Sequence, residues 1–481
     1  MLKGTIYHLI ARTIFLVSSY ALHITMAYHF LDPRHYGTFG VLMSILTIAY
    51  TFLSTGLPQA ASKFISQDEA HADAIMKKAM RLQYIYIAFV VMVYVGGVPV
   101  WILFLNDRAL TRYLLMSAVL IPLMGTFQMY LSYLNGKRLF SLQAWMTAIY
   151  SVCRFALAYV LVLLGMKIPG ILMGFFISAL VALIITRHFV KRQDVDVEFD
   201  ARLLIRFAIP IVLFSLGSSF LLNLDILLLK HFFPMSPIIG YYTGAMTFGK
   251  APFFIFYAFS VTILPMVSKA LSDQDIEKAK TLVRRNLSFL LFLGIPSATI
   301  LFATSEKLLA FVYPSAYTEA ASSLGILVFS MSALAILYSL FSMITANGKP
   351  AIPTVMIFLC IPLQISLSLF LIPEYQMKGA AYSSLITVSS GVLVAGFFVF
   401  RYFGTLFDTG QVLRTVICSG ILYFLLSKYS SFPTGMLPLV YGLAFLVFCF
   451  LMFMIGGIRK SDIAAMRRSV LHWYTDDHKT R

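Results

Sequence analysis

Five ionisable residues stand in stretches of the chain where almost everything else is apolar: Arg12, Arg154, Asp225, Lys230 and Lys250. Charge in apolar surroundings is costly, so each is a candidate for binding chemistry. Four of the five are basic, and Asp225 is the one acidic residue among them. That balance suits an anion, to which Arg offers a planar two-pronged donor and Lys a point charge. It suits a cationic ligand poorly. Arg154 and Lys250 lie near the middle of their runs, where extending the side chain does not reach water easily. Arg12 is some seven residues inside its run, and position alone leaves snorkelling and cavity lining open. Lys230, near the end of its run, reads as a snorkelling residue. Asp225 either balances one of the bases or binds a coupling H⁺ or Na⁺. Arg12, Arg154, Lys250 and Asp225 are the candidate substrate-binding set. His23 and His29 titrate in a useful range, but a lone helical histidine is more often simply hydrogen-bonded.

The elements that must position these residues follow from composition. Of 481 residues, 60% are hydrophobic and 12% charged, with a mean hydropathy of +0.86. Soluble chains carry roughly 45–50% apolar and about 25% charged residues. Lipid must therefore be part of the solvent, and the long unbroken apolar runs specify helices, not alternating barrel strands. Cys153, Cys360, Cys418 and Cys449 all fall in such runs and read as small hydrophobes. No nucleotide-binding glycine loop is present, and no His, Cys or carboxylate cluster has metal-ligand spacing. No cofactor and no enzymatic reaction are expected. Met1 leads quickly into the first run without a cleavage site, which reads as a retained helix.

A spanning helix needs about 20 apolar residues. Fourteen are expected, near 5–30, 36–62, 82–105, 113–134, 141–164, 169–187, 203–232, 238–266, 286–312, 320–346, 351–372, 379–400, 412–426 and 436–456. An even number places both termini on one side. The termini and their alternate loops gather 26 of the 37 basic residues, against seven on the opposite face. The loops are short, so the basic face is expected in the cytoplasm, with both termini, in a multi-pass cell-membrane protein. The net charge of +17 then reports topology and contact with membrane lipids, not nucleic-acid binding. Pro58, Pro99, Pro122, Pro210, Pro252, Pro265, Pro296 and Pro362 are expected to kink their helices.

The chain also repeats itself. Leu57-Pro58 through Lys63, followed by a polar amphipathic stretch, matches Leu264-Pro265 through Lys269, with Lys63 and Lys269 offset by 206. Asn135-Gly136-Lys137 matches Asn347-Gly348-Lys349 at 212, and Met166-Lys167 matches Met377-Lys378 at 211. Turn preferences alone explain the second match but not the first. A duplication of six helices, an even number, leaves both halves in the same orientation, related by an axis along the membrane normal. The expected organisation is a six-helix lobe at 1–190, a linker at 191–202, a second lobe at 203–403, two further helices at 404–457 and a basic tail at 458–481 containing Trp473, lying along the membrane surface.

Tyr36-Gly37-Thr38-Phe39, Ser54-Thr55-Gly56-Leu57-Pro58, Ser62-Lys63-Phe64-Ile65 and Gly240-Tyr241-Tyr242, with Lys250 and Pro265, resemble the polysaccharide-transporter branch of the MOP superfamily, including its sporulation-protein-B-like members. The superfamily also holds the MATE multidrug exporters and lipid II flippases. The resemblance covers about residues 1–400. It implies a MATE-like, two-lobed all-α membrane fold with a central cavity and a lipid-anchored glycan as substrate. It also favours a substrate-facing role for Arg12 and suggests a lipid-tail groove on the last two helices. The expected activity is that of a flippase carrying a polyprenyl-(pyro)phosphate-linked oligosaccharide across the cytoplasmic membrane by alternating access. A MATE-like cation-coupled exporter is the alternative, and it should carry more cavity carboxylates than Asp225. A polymerase or glycosyltransferase would need a large loop outside the membrane, and none is long enough.

Overall fold

A computed structural model describes residues 2–190, 199–429 and 432–457, with side chains described for Tyr7 and from Leu9 onward. Most of the expected linker, and the basic tail with Trp473, lie outside the described residues. Within them the fold is all helical, and fourteen helices are long and apolar enough to cross a membrane. They are α1 (Leu9–Phe30), α2 (Pro33–Gln67), α3 (Ala72–Leu105), α4 (Leu110–Gly136), α5 (Phe140–Leu163), α6 (Lys167–Phe189), α7 (Ala201–Leu221), α8 (Ile238–Ser272), α9 (Ile276–Ala303), α10 (Ser315–Ala346), α11 (Ala351–Tyr375), α12 (Met377–Phe403), α13 (Thr409–Lys428) and α14 (Thr434–Met454). Each coincides with one expected span. Leu103, Phe370 and Leu393 are more than 70% exposed, which is tolerable only where lipid is the solvent.

The largest departure from expectation is in the continuity of the helices. The seventh span does not run unbroken to residue 232: α7 stops at Leu221, and a separate helix, Leu224–Phe232, follows after a break at Leu222–Asn223. Pro58, Pro99 and Pro252 each occupy the first turn of a new helical segment, so they mark breaks and not kinks. In a first turn the missing N–H has no helical acceptor to lose. Pro210, Pro265, Pro296 and Pro362 do lie inside continuous helices.

The chain forms two compact units. The first comprises Met1–Thr247, Val312–Ser323 and Thr354–Thr387; the second comprises Phe248–Phe311, Leu324–Pro353 and Val388–Arg481. In the first, α2 is interrupted at Gly56, whose φ of +68° favours glycine and whose missing side chain leaves room for Val212. The break frees backbone carbonyls inside the protein. Gln83 of α3, fully buried, donates its amide to Leu53 O at 3.0 Å and to Gly125 O at 3.3 Å. One side chain thereby satisfies an acceptor that lipid could not.

Near its start α2 meets α8 backbone to backbone. A Cβ on Gly37 would lie 2.7 Å from Gly240 N, one on Gly40 would strike Thr243, and one on Gly240 would overlap the Pro33 carbonyl. Small residues allow such approach, and dispersion between the close-packed backbones takes the place of a hydrophobic drive that lipid does not supply. Asp32 caps α2, accepting from the backbone N–H groups of Arg34 (2.9 Å) and His35 (3.1 Å). In the second unit, α13 and α14 pack on α9 through Ile300, Cys418, Leu422, Ala444, Phe448 and Met452. Ser260 of α8 donates to Ala335 O of α10 at 3.1 Å.

Two stability measurements follow. Gly240→Ala should lower the apparent melting temperature in detergent and reduce the monodisperse fraction, overpacking of this kind costing about 1–3 kcal/mol. Gly420→Ala, where nothing lies within 4 Å, should change neither. At Asp32, burial pulls the carboxyl pKa up, but the hydrogen bonds and charge of His35 with the Arg34 amide outweigh it and hold it below 3.8. The cap's contribution is therefore complete above that value and lost as pH falls through the lowered one. Asp32→Ala should cost about 0.5–2 kcal/mol at neutral pH, and the gap to wild type should close only in more acidic solution.

Candidate functional site

Arg154 sits mid-way along α5, where α1, α5 and α6 pack together, and is 7% exposed. Its guanidinium donates from Nη2 to Ser19 Oγ of α1. It also lies over the rings of Phe15 (4.8 Å), Phe175 (5.3 Å) and Tyr150 (5.7 Å). Those rings supply cation–π attraction, and the Tyr150 hydroxyl also lies within hydrogen-bonding reach of the guanidinium, while Phe15 and Phe175 offer no conventional acceptor. Arg154 Nε is buried with no hydrogen-bond partner, and no carboxylate pairs with the guanidinium among the described residues. A buried cation in this condition is short of negative charge.

Asp225 is 1% exposed and opens the short helix Leu224–Phe232. It accepts from Tyr242 Oη of α8 at 2.7 Å and from the Ile226 backbone N–H at 2.8 Å. A carboxylate there is favoured by the helix dipole as well as by its donors. Arg154 and Asp225 keep separate partners and do not touch. Arg12 is exposed on α1, nearly two turns before Ser19. Lys250, half-buried, stands at the break in α8 between Gly249 and Ala251, in the second unit.

Lys230 does not snorkel. It is 3% exposed, and its ammonium binds Asp107 Oδ2 at 2.7 Å and the Pro234 carbonyl. Asp107, in the α3–α4 turn, also accepts from Ala109 N–H at 3.0 Å. Beside it His231 stacks on Phe104, 4.7 Å between ring centres. The sequence placed Lys230 near a helix end but could not show that an acid from a turn more than a hundred residues away would meet it.

The side chains that sequence reasoning missed are, but for Lys63, uncharged. A cavity of about 300 Å³ lies between α2, α4 and α5, immediately beyond the Gly56 break. Its lining is Ser54, Pro58, Gln59, Ser62, Lys63, Ser66, Gln128, Ser132, Asn135 and Gln143. Nine of these ten are polar, one is cationic, and none is acidic. Lys63 holds its ammonium 4.1 Å from the Phe207 ring centre. Gln128 Oε1 accepts from Tyr50 Oη at 3.1 Å, and Tyr50 lies close enough to Arg154 to feel its charge. Gly136 lets α4 close on Ile65, so the two sequence motifs around Lys63 and Asn135 meet at this cavity. Glutamines inside apolar runs were the available signal.

The sequence matches the profile of a family described as polysaccharide biosynthesis protein over residues 28–322. A sequence search of curated proteins finds no significant match. Among solved structures, the lipid II flippase MurJ in an inward closed conformation is similar, with 16% identity and a TM-score of 0.74 over 94% of this chain and 98% of that one. An inward-facing multidrug resistance MATE family transporter of the MOP superfamily has 12% identity and a TM-score of 0.70, over 82% and 99%. An outward-facing transporter of the same description has 12% identity and a TM-score of 0.63, over 84% and 95%. At these identities the likeness is one of fold.

The Lys230–Asp107 pair makes a direct test of burial. Lys230→Met or Asp107→Leu alone should destabilise the protein by about 3–5 kcal/mol, because each leaves a buried charge unpaired. The double variant should recover most of that loss in a thermal-shift measurement.

Proposed function

Because the chain belongs to the polysaccharide biosynthesis protein family, we propose that it is a flippase that moves a polyprenyl-(pyro)phosphate-linked oligosaccharide from the cytoplasmic to the outer leaflet. The observation that carries this reading is Arg154, a buried guanidinium with an unpartnered Nε and, among the described residues, no carboxylate beside it. A (pyro)phosphate headgroup would balance its charge while the polyprenyl tail stays in lipid, and Arg12 and Lys250 are the further candidate substrate-binding bases. Asp225, hydrogen-bonded to Tyr242, is the candidate carrier of a coupling H⁺ or Na⁺, or a charge balance for the bases. No chemical step is assigned to the chain.

The proposed mechanism is alternating access by two six-helix lobes, 1–190 and 203–403, in the same orientation. Left-handed turn residues support the repeat behind it. They occur at Arg138 and Gly348, just after α4 and α10, and at Lys167 and Gln376, where α6 and α12 begin. The basic-residue tally supports a cytoplasmic position for the Lys63, Lys137 and Lys349 face, the side from which a lipid-linked glycan would be taken up.

The MATE-like exporter reading is favoured by the shared fold and opposed by the charge balance, and one experiment separates them. In proteoliposomes the wild-type chain should flip a fluorescent polyprenyl-pyrophosphate oligosaccharide and should not expel a cationic dye. Arg154→Gln and the Arg12→Ala/Lys250→Ala double variant should each lose at least tenfold in flipping rate while remaining monodisperse. Arg154→Lys should retain part of it, since charge survives without the planar fork. Dye export with no glycan flipping would replace this reading with the exporter. In whole cells, single cysteines at Lys137 and Lys349 should resist an impermeant thiol reagent that labels one at Lys428, and the reverse pattern would invert the orientation.

A further inference from the structure

We infer that the cavity between α2, α4 and α5 is a binding site for one sugar ring carrying a phosphate, the unit at which glycan meets lipid carrier. This rests on the flippase reading for its cellular substrate but not for its chemistry. The lining is almost entirely amide and hydroxyl: Gln59, Gln128, Gln143 and Asn135 with Ser54, Ser62 and Ser132. Each amide presents a donor and an acceptor side by side, as a sugar ring does with its hydroxyls. An ion site would concentrate carboxylates, and a drug site would be mostly apolar. At about 300 Å³ the cavity holds roughly ten waters. Exchanging such waters for sugar hydroxyls costs little when the hydrogen bonds are reproduced.

Two details point to a ligand and not merely to a wet gap. Gln143 Oε1 is buried at the cavity without a hydrogen-bond partner, an acceptor awaiting a donor. Gln128 spends its Oε1 on Tyr50, which leaves its NH₂ group as a donor from the facing wall. Lys63 supplies the single charge at the exposed rim with Gln59 and Ser66, held against Phe207 and Phe64. An anionic substituent would sit at that rim while the ring enters the neutral interior. The site lies on the face assigned to the cytoplasm, where substrate would be loaded.

The test uses the full-length chain in lipid nanodiscs with saturation-transfer NMR, which reads millimolar binding. Probes are N-acetylglucosamine 1-phosphate, glucose 1-phosphate and the two free sugars, with inorganic phosphate, which has no C–H proton to observe, read by its displacement of the sugar-phosphate signal. At least one sugar phosphate should give saturable transfer. Binding should weaken about tenfold or more in Gln143→Leu and in Gln59→Leu, the second being exposed and so of little consequence for folding. In Lys63→Gln the phosphorylated sugar should lose its advantage over the free one. Unchanged binding in all three variants would overturn the inference. Inorganic phosphate binding as tightly as the sugar phosphates would overturn it too, leaving a bare anion subsite. Wild-type flipping of lipid-linked glycan without sugar-phosphate binding here would sink this site alone. Binding lost in Gln143→Leu, from a chain that flips nothing, would uphold the site and sink the flippase reading.

Discussion

Within hydrocarbon every backbone N–H and C=O must find a partner inside the protein, and the interruption of α2 at Gly56 is where this chain meets that demand in its sharpest form. Gly56 turns the backbone into a region few other residues enter, and Pro58 just after it has no N–H to donate. The loose carbonyl of Leu53 is taken by Gln83, a side chain from another helix. Once that exchange is made, Leu57–Gln67 runs as a second helical piece with its own direction. Its polar residues Gln59, Ser62 and Lys63 can then line a cavity with α4 and α5 in place of facing lipid. The break and the cavity are therefore one feature. Filling Gly56 with a side chain would strain the backbone and push Val212 aside at once.

The buried charges show how differently the same cost is met. Lys230 and Asp107 neutralise each other at 2.7 Å and take up neighbouring backbone groups. Asp225 is satisfied by a tyrosine hydroxyl and a helix N-terminus. Arg154 is not satisfied in this way, since aromatic faces soften its desolvation but leave Nε without an acceptor. On the flippase reading proposed above, an anionic headgroup would supply what Arg154 lacks. A structural pair such as Lys230–Asp107 lacks nothing of the kind.

Hydropathy is a sum over neighbours in the chain, and so is the turn chemistry that separates one span from the next. Fourteen spans, the all-helical class and the isolation of Arg154 among apolar residues were accordingly legible in the sequence. So was the family, through short motifs around Tyr36, Pro58, Lys63 and Gly240 that the profile match bears out. The tertiary structure alone decided whether a proline kinks a helix or begins one, because that depends on whether the helix before it continues, and in a first turn the missing N–H has no helical acceptor to lose. It alone gave Lys230 its acid from a turn between two other helices. And it alone assembled the cavity. Glutamine, asparagine and serine are cheap enough in an apolar run to pass without notice singly, and they become a site only when three helices bring them to face one another.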